Sequence, residues 1–108
     1  MVLTAAQRKS IQLLRDLKAS GSTFVKLYKH ADEHQESYSH LEQLGGRLKR
    51  AGLVDVRRGP GGGYRIRPEK SFITLLEVIN AVSDRKHENP DCEIQKLIND
   101  ALSRVIVA

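Results

Sequence analysis

Apolar residues in the middle of the chain first recur at helical spacing and then alternate as in strands. Leucines at 41, 44 and 48 followed by Ala51 predict a helix, and Gly52 suits a left-handed cap at its end. Residues 54–57 and 64–67 alternate apolar with charged side chains, which predicts two strands with one buried face each. The glycine-rich run 59–63 between them predicts a tight turn. Residues 41–67 are therefore expected to form a helix followed by a β-hairpin.

The N-terminal third of the chain predicts two further helices. Thr4 and Gln7 fit a capping box that begins a helix running to about Ala19. Its predicted buried stripe is Ile11, Leu14 and Leu17, with Leu13 beside it.

A second helix is predicted from about Phe24 to Ala31, with Phe24, Leu27 and Tyr28 on its inner face. Residues 32–36 are polar and unpatterned, which indicates a turn that is long for its kind and contains no glycine. Ser37 is a good N-cap for the third helix. Gly45 and Gly46 within that helix favour either a close approach of DNA or another helix, or a locally weak helix.

The C-terminal part of the chain predicts two more helices. Thr74 and Glu77 form a second capping box, residues 83–90 indicate a polar linker, and a final helix is expected over about 91–107. A broad apolar stripe on a terminal helix needs a partner, either its own domain or a second subunit, and we favour a symmetric homodimer. The predicted dimerisation residues are Ile94, Leu97, Ile98, Ala101, Leu102 and Val105.

These elements together define an expected fold. It is mainly α with a small β-hairpin: a winged helix-turn-helix with a C-terminal dimerisation helix. The expected domains are a DNA-binding unit over residues 1–83 and a linker with dimerisation helix over 84–108.

Charge adds a functional expectation. The chain has a net charge of +5, and residues 47–70 alone hold eight basic against two acidic side chains. A basic cluster on a helix and a hairpin is the footprint expected of a phosphate-binding surface, although a solvated basic face is the ordinary alternative. We therefore predict binding of double-stranded DNA. The operator is expected to be palindromic because helix-turn-helix dimers read two symmetric half-sites.

Individual DNA contacts follow from the expected docking of such folds. The first turns of the third helix should face base edges, and a wing arginine should enter the minor groove. Glu42 either accepts from a cytosine amino group or merely supports its helix, and both interpretations stay open. The predicted DNA contacts are Arg8, Tyr38, Ser39, Glu42, Gln43, Arg47, Arg57, Arg58 and Gly61.

Several runs of sequence also resemble a known family. The segments MVLT, HLEQLGGRLKRAGLV, RRGPGGGYRI and ITLLEVINAV are similar to the IscR/NsrR/CymR-type winged-helix regulators. The resemblance implies a dimeric bacterial repressor or activator whose long C-terminal helix crosses between subunits. By position it implies that Ser39, Glu42 and Gln43 read bases and that Arg58 is the wing arginine.

The chain departs from that family in two places. Many members hold an iron–sulfur cluster on a three-cysteine loop, whereas Cys92 is the one cysteine here and Gln95 stands where some members place a histidine ligand. No cofactor is therefore expected, and Cys92 is either a packed thiol or a redox-active one. The C-terminus is also shorter, which implies a smaller dimer interface.

Other functions receive little support. No catalytic set has a recognisable spacing, so an enzyme is not expected. His30 and His34 are four residues apart, but the acidic residues between them favour a solvated helix end, and no metal site is expected. No signal peptide or membrane helix is predicted, which favours a cytoplasmic protein. The alternative functions are a winged-helix module that binds an acidic protein partner and a redox or iron–sulfur sensor that uses Cys92.

Overall fold

The computed structural model describes residues 3–82 and 100–108. Over these residues the chain forms α1 (Ala5–Ala19), α2 (Leu27–His34), α3 (Tyr38–Arg50), β1 (Val54–Arg57), β2 (Gly63–Ile66) and α4 (Leu75–Val82). The expected mainly helical fold with one hairpin is confirmed over this part of the chain.

Helix α1 is the centre of the packing. Its start is the predicted capping box, because Thr4 Oγ1 accepts from Gln7 N at 3.1 Å and Gln7 Oε1 accepts from Thr4 N at 2.9 Å. The helix packs against α3, α4 and β2. Leu13 was expected beside the buried stripe of this helix. It is itself fully buried, because α1 is covered on several sides.

Helix α2 begins three residues later than its apolar pattern predicts. Its buried face is Leu27, His30 and Ala31, and the two aromatic residues expected on that face lie elsewhere. Phe24 precedes the helix, with the guanidinium of Arg65 4.6 Å from its ring centroid. Tyr28 is 60% exposed. The expected start at Phe24 was wrong because this ring packs against the hairpin rather than inside the helical layer.

The turn between α2 and α3 is shorter than predicted. Helix α2 continues to His34, so three residues connect it to α3, which is the usual length in a helix-turn-helix. Gln35 takes the left-handed conformation, with φ 53°, and Glu36 N donates to Ala31 O at 2.9 Å. The expectation that residues 32–36 form the turn was wrong, because glutamine here occupies the position that glycine usually fills.

The hairpin has a third strand segment that the sequence did not indicate. β1 and β2 pair antiparallel, with Val54 opposite Ile66 and Arg57 opposite Gly63. Val25 then pairs with Tyr64 through two backbone hydrogen bonds of 2.8 Å. The segment before α2 is therefore fixed to the wing.

The chain beyond residue 103 is not helical, so a helix reaching Val107 was wrong. Residues 100–103 are helical, and the chain then pairs with the segment before α4. Ile73 N donates to Ala108 O at 2.7 Å, and Leu75 N donates to Val105 O at 2.7 Å.

The described dimerisation residues therefore have unequal surroundings. Leu102, expected at a dimer interface, is only 8% exposed and belongs to the core of its own chain. Ala101 and Val105 are exposed. The predictions for Ile94, Leu97 and Ile98, and that for Cys92, fall outside the described residues.

Candidate nucleic-acid interface

Helix α3 presents the residues that were predicted to read bases. Ser37 caps it as expected, with its Oγ accepting from His40 N at 3.4 Å. Leu41, Leu44 and Leu48 are buried, which fixes the rotation of the helix. The exposed side then includes Tyr38, Ser39, Glu42 and Gln43.

A shallow groove runs along this exposed side. It combines three predicted contacts with two residues that were not among them: Gly46, noted in the sequence only as half of a glycine pair, and Arg50. Gly46 and Arg50 belong to the groove because they follow Glu42 and Gln43 at helical spacing, a signal present in the sequence. The groove is lined by Glu42, Gln43, Gly46, Arg47 and Arg50.

Arg47 has a structural contact as well as a place in the groove. Its Nη1 donates to Val82 O, the last residue of α4, at 3.2 Å. A cation at a helix C-terminus interacts favourably with the helix dipole and the terminal carbonyls. Arg47 therefore connects α3 to α4. The sequence predicted Arg47 as a DNA contact and did not indicate this structural role.

The wing needs its glycines for close backbone contacts. A Cβ on Gly63 would lie 2.4 Å from Val25 O, and one on Gly62 would lie 2.2 Å from Arg57 O. Lys26 Nζ donates to Gly59 O at 2.8 Å, so the segment before α2 also holds the wing tip. Sequence reasoning missed Lys26, because only the fold brings it to the wing.

Apart from Arg47, which donates to Val82 O, the basic residues of segment 47–70 separate into two groups. Three of them form ion pairs. Arg65 Nη2 lies 3.5 Å from Asp55 Oδ2, and Arg67 Nε lies 2.7 Å from Glu69 Oε1. Lys70 pairs with Glu77. Four others have no ion pair within residues 3–82 and 100–108, and all are exposed. These uncompensated cations lie near the C-terminal end of α3 and at the wing tip: Lys49, Arg50, Arg57 and Arg58.

Tyr64 joins the wing to α3. A Cβ on Gly45 would lie 2.7 Å from Tyr64 Cε2, so the glycine gives the ring its space on the helix. Burial raises the pKa of Tyr64, and the neighbouring Glu42 carboxylate and Tyr38 raise it further. The glycine pair was predicted to allow close approach of DNA or another helix, or to mark a weak helix. At Gly45 the group that approaches closely is instead the Tyr64 ring of the wing.

Two adjacent basic residues of α1 face different parts of the molecule. Lys9 Nζ lies 3.4 Å from His40 Nδ1 at the start of α3. Arg8, the predicted contact, is exposed and lines a groove with Val105 and Val107 of the C-terminal segment. Lys9 is thus the residue of the pair that reaches α3.

Three helices with a three-residue turn between the second and third, followed by a basic hairpin, define the chain as a winged helix-turn-helix protein. The sequence matches the model of the Rrf2 family, described as iron-dependent transcriptional regulators, over residues 3–108. The chain belongs to the Rrf2 family, and the resemblance to IscR- and CymR-type regulators is confirmed. The family consists of transcriptional regulators and not of enzymes.

Named relatives and solved structures agree with this assignment. The chain is 37% identical over 99 residues to the HTH-type transcriptional regulator IscR of Vibrio atlanticus, covering 86% of this chain and 57% of that protein. It superposes on the oxidised form of Staphylococcus aureus CymR with a TM-score of 0.76 and 26% identity, covering 99% and 93% of the two chains. For IscR of T. potens the TM-score is 0.74 at 25% identity, with 99% and 83% covered.

The chain spans a little over half the length of the curated IscR relative. A search of the described residues for membrane spans finds no helix that is both long and apolar enough to cross a bilayer.

Proposed function

We propose that this protein is a sequence-specific DNA-binding transcriptional regulator. The observation that carries the proposal is the group of four uncompensated cations at the end of α3 and at the wing tip, next to the exposed polar groove of α3. If α3 lies in a groove of the DNA, the phosphates that border that groove on its two sides would meet these cations. The family assignment supports the same function.

In this proposal the two parts of the interface have different tasks. Tyr38, Ser39, Glu42 and Gln43 face base edges in the major groove, where a carboxylate selects cytosine and an amide selects adenine. The wing contributes charge and shape recognition, because an arginine favours a narrow minor groove and the glycines at the tip allow close backbone approach. Arg57, Arg58 and Gly61 belong to this second part.

We further propose a homodimer that reads a palindromic operator. Helix-turn-helix dimers place two recognition helices about one turn of DNA apart. Three apolar side chains near the C-terminal segment are exposed, which supports a second subunit there: Phe72 at 51%, Val105 at 44% and Ile106 at 60%. A dimer that covers its operator excludes other proteins from it, so we assign repression, exerted in the cytoplasm.

The proposed regulator holds no iron–sulfur cluster. Such clusters are bound mainly by several cysteine thiolates, and this chain has one cysteine. We expect a colourless protein after anaerobic purification and DNA binding that is unchanged by Cys92→Ser. Colour that Cys92→Ser removes would instead support the sensor alternative.

The test is selection of duplexes from a random DNA pool, followed by affinity measurements against salt on enriched and unselected DNA. We expect a palindrome with half-sites about one helical turn apart. Binding with a steep salt dependence but no enrichment would indicate a general DNA-coating protein. No binding at low salt would favour an acidic protein partner.

A matched pair of variants tests the wing. Arg58→Ala should weaken binding and reduce the salt slope by about 1, the loss expected for one phosphate contact. Arg67→Ala is the control, because this arginine of the same hairpin is paired with Asp55 and Glu69 and is not among the uncompensated cations. Equal affinities for the two variants would remove Arg58 from the interface.

A further inference from the structure

One carboxylate of α1 and two imidazoles of α2 meet at a single point. Asp16 Oδ2 lies 2.7 Å from His30 Nδ1 and 2.9 Å from His34 Nε2. The histidines are four residues apart on one helix, which places both on the same face. The expectation of a solvated helix end at these histidines was wrong for His30, which is 2% exposed.

Three donor atoms of metal-ligand type therefore converge within 4.8 Å of one another. Zinc bonds of about 2.0–2.2 Å place neighbouring ligand atoms about 3.3 Å apart in a tetrahedral site. The two separations from Asp16 Oδ2, 2.7 and 2.9 Å, are about half an ångström shorter, as expected when protons rather than an ion join these atoms. Asp16 and His34 are 39% and 26% exposed, so their side chains have room for this adjustment.

His34 also has a partner that orients its ring. Gln12 Nε2 lies 3.0 Å from His34 Nδ1, which leaves Nε2 directed at Asp16. A second ring nitrogen held by a polar group is the usual arrangement of a metal-binding histidine, since it fixes the tautomer. In this structure the Gln12 amide nitrogen donates to Nδ1. With an ion at Nε2, Nδ1 carries the proton, and the Gln12 amide turns so that its oxygen accepts from Nδ1.

The cluster borders a cleft that leaves room for a further ligand. The cleft has a volume of about 460 Å³, and its polar wall includes Asp16, His30 and Glu33. Water can take a fourth position there. Two nitrogens and one oxygen suit Zn²⁺ and similar first-row ions, whereas Mg²⁺ and Ca²⁺ prefer oxygen ligands throughout.

We propose that Asp16, His30 and His34 form a binding site for one divalent transition-metal ion of the Zn²⁺ type. The site uses no cysteine and is separate from the groove of α3. An ion in it joins α1 to α2, the first helix of the helix-turn-helix. Because the ion binds only the folded arrangement, it stabilises the protein according to its concentration and affinity.

The test is a Zn²⁺ titration of the chelator-treated full chain carrying Cys92→Ser, which removes thiolate binding. We expect one equivalent to bind, an increase in melting temperature, and visible absorption bands when Co²⁺ replaces Zn²⁺. None of these readouts involves DNA, so their failure leaves the proposed regulator function untouched.

Single substitutions locate the ion. His34→Gln and Asp16→Asn should each lower the Zn²⁺ affinity by more than about 10-fold, because even outer-shell partners contribute about 10- to 100-fold. Both side chains are partly exposed, so the variants avoid the folding risk of replacing buried His30. His40→Gln is the control and should bind Zn²⁺ as before. No stoichiometric binding, or binding that both cluster variants retain, would overturn the proposal and leave a hydrogen-bonded cluster.

Discussion

At the scale of single residues, the two adjacent glycines of α3 have different surroundings. Gly45 lies against the Tyr64 ring, whereas Gly46 has no atom within 4 Å of its Cβ position and borders the exposed groove. Glycine in a helix costs about 1 kcal/mol relative to alanine. A half-buried glycine that borders the groove without a neighbour at its Cβ position therefore points to a backbone that another molecule approaches.

Substitution of each glycine separates stability from DNA binding. Gly46→Ala should raise the free energy of unfolding by about 1 kcal/mol and weaken operator binding, because the methyl group enters the groove. Gly45→Ala should lack this gain, since its methyl group would meet the Tyr64 ring. Chemical denaturation and fluorescence anisotropy measure the two effects. Unchanged DNA affinity in Gly46→Ala would argue against close backbone approach.

Glu42 is the residue whose role separates base reading from helix support. If it accepts from a cytosine amino group, Glu42→Ala should relax the preference at one base pair by about 1–3 kcal/mol. Binding to the other sequences should change little. Selection from the random pool with both proteins measures the preference. A uniform change in affinity on all sequences would assign Glu42 to helix support or to general repulsion of phosphate.

At the scale of elements, local signals predicted α1, α3, the hairpin and the start of α4. Both capping boxes and the cap at Gly52 formed as expected, because each depends on residues close in sequence. The predictions for the start of α2 and for the C-terminal segment were wrong, because tertiary contacts determine the structure at both places. Phe24 packs on the wing, and Val105 pairs with Leu75, although both fit a helical period. The groove was largely predictable, but the convergence on Asp16 was not, since it requires α1 and α2 to pack.

The C-terminus of α2 offers a direct test of the corrected turn. Gln35 is held at φ 53°, a conformation that costs about 1–2 kcal/mol for a residue with a Cβ. Gln35→Gly should therefore raise the free energy of unfolding by about 1 kcal/mol, partly reduced by the greater freedom of glycine in the unfolded chain. Ser20→Gly is the matched control, because Ser20 ends α1 with φ −80° and should show no gain. Equal effects would mean that Gln35 is not strained.

The cap of α4 predicts a dependence on pH. Burial acts to raise the pKa of Glu77, but hydrogen bonds from Lys70 and Thr74 and the charge of Lys70 outweigh it, so this pKa is lowered from its ordinary 4.5. A lowered carboxyl pKa stabilises the fold above that ordinary value, and the stabilisation disappears as pH falls through the folded-state pKa. Glu77→Gln should therefore be less stable than the natural chain at pH 7, with the difference shrinking below about pH 4.5.

Thermal unfolding across pH measures this difference. Glu69→Gln is the control, since it removes only an exposed pair with Arg67, and such pairs contribute little. A difference between Glu77→Gln and the natural chain that persists at pH 3 would assign the effect to packing instead of charge.

At the scale of the whole molecule, the C-terminal segment is the place where a second subunit is expected. The inward side chains of this segment, Leu102 and Val107, complete the core of the same chain. Ile106 points its side chain to solvent at 60% exposure while its backbone pairs with Thr74. Ile106→Glu should therefore leave the fold intact and dissociate the proposed homodimer, because a carboxylate buried between subunits loses its hydration. Sedimentation measures the oligomeric state.

Tyr28→Glu is the control, because Tyr28 is equally exposed on α2, and this variant should leave the oligomeric state unchanged. In DNA binding, the Ile106→Glu variant should keep its affinity for a duplex with one half-site. It should lose the additional affinity that a second half-site gives to the natural chain. A natural chain that sediments as a monomer, or a variant that remains dimeric, would move the dimer interface away from this segment.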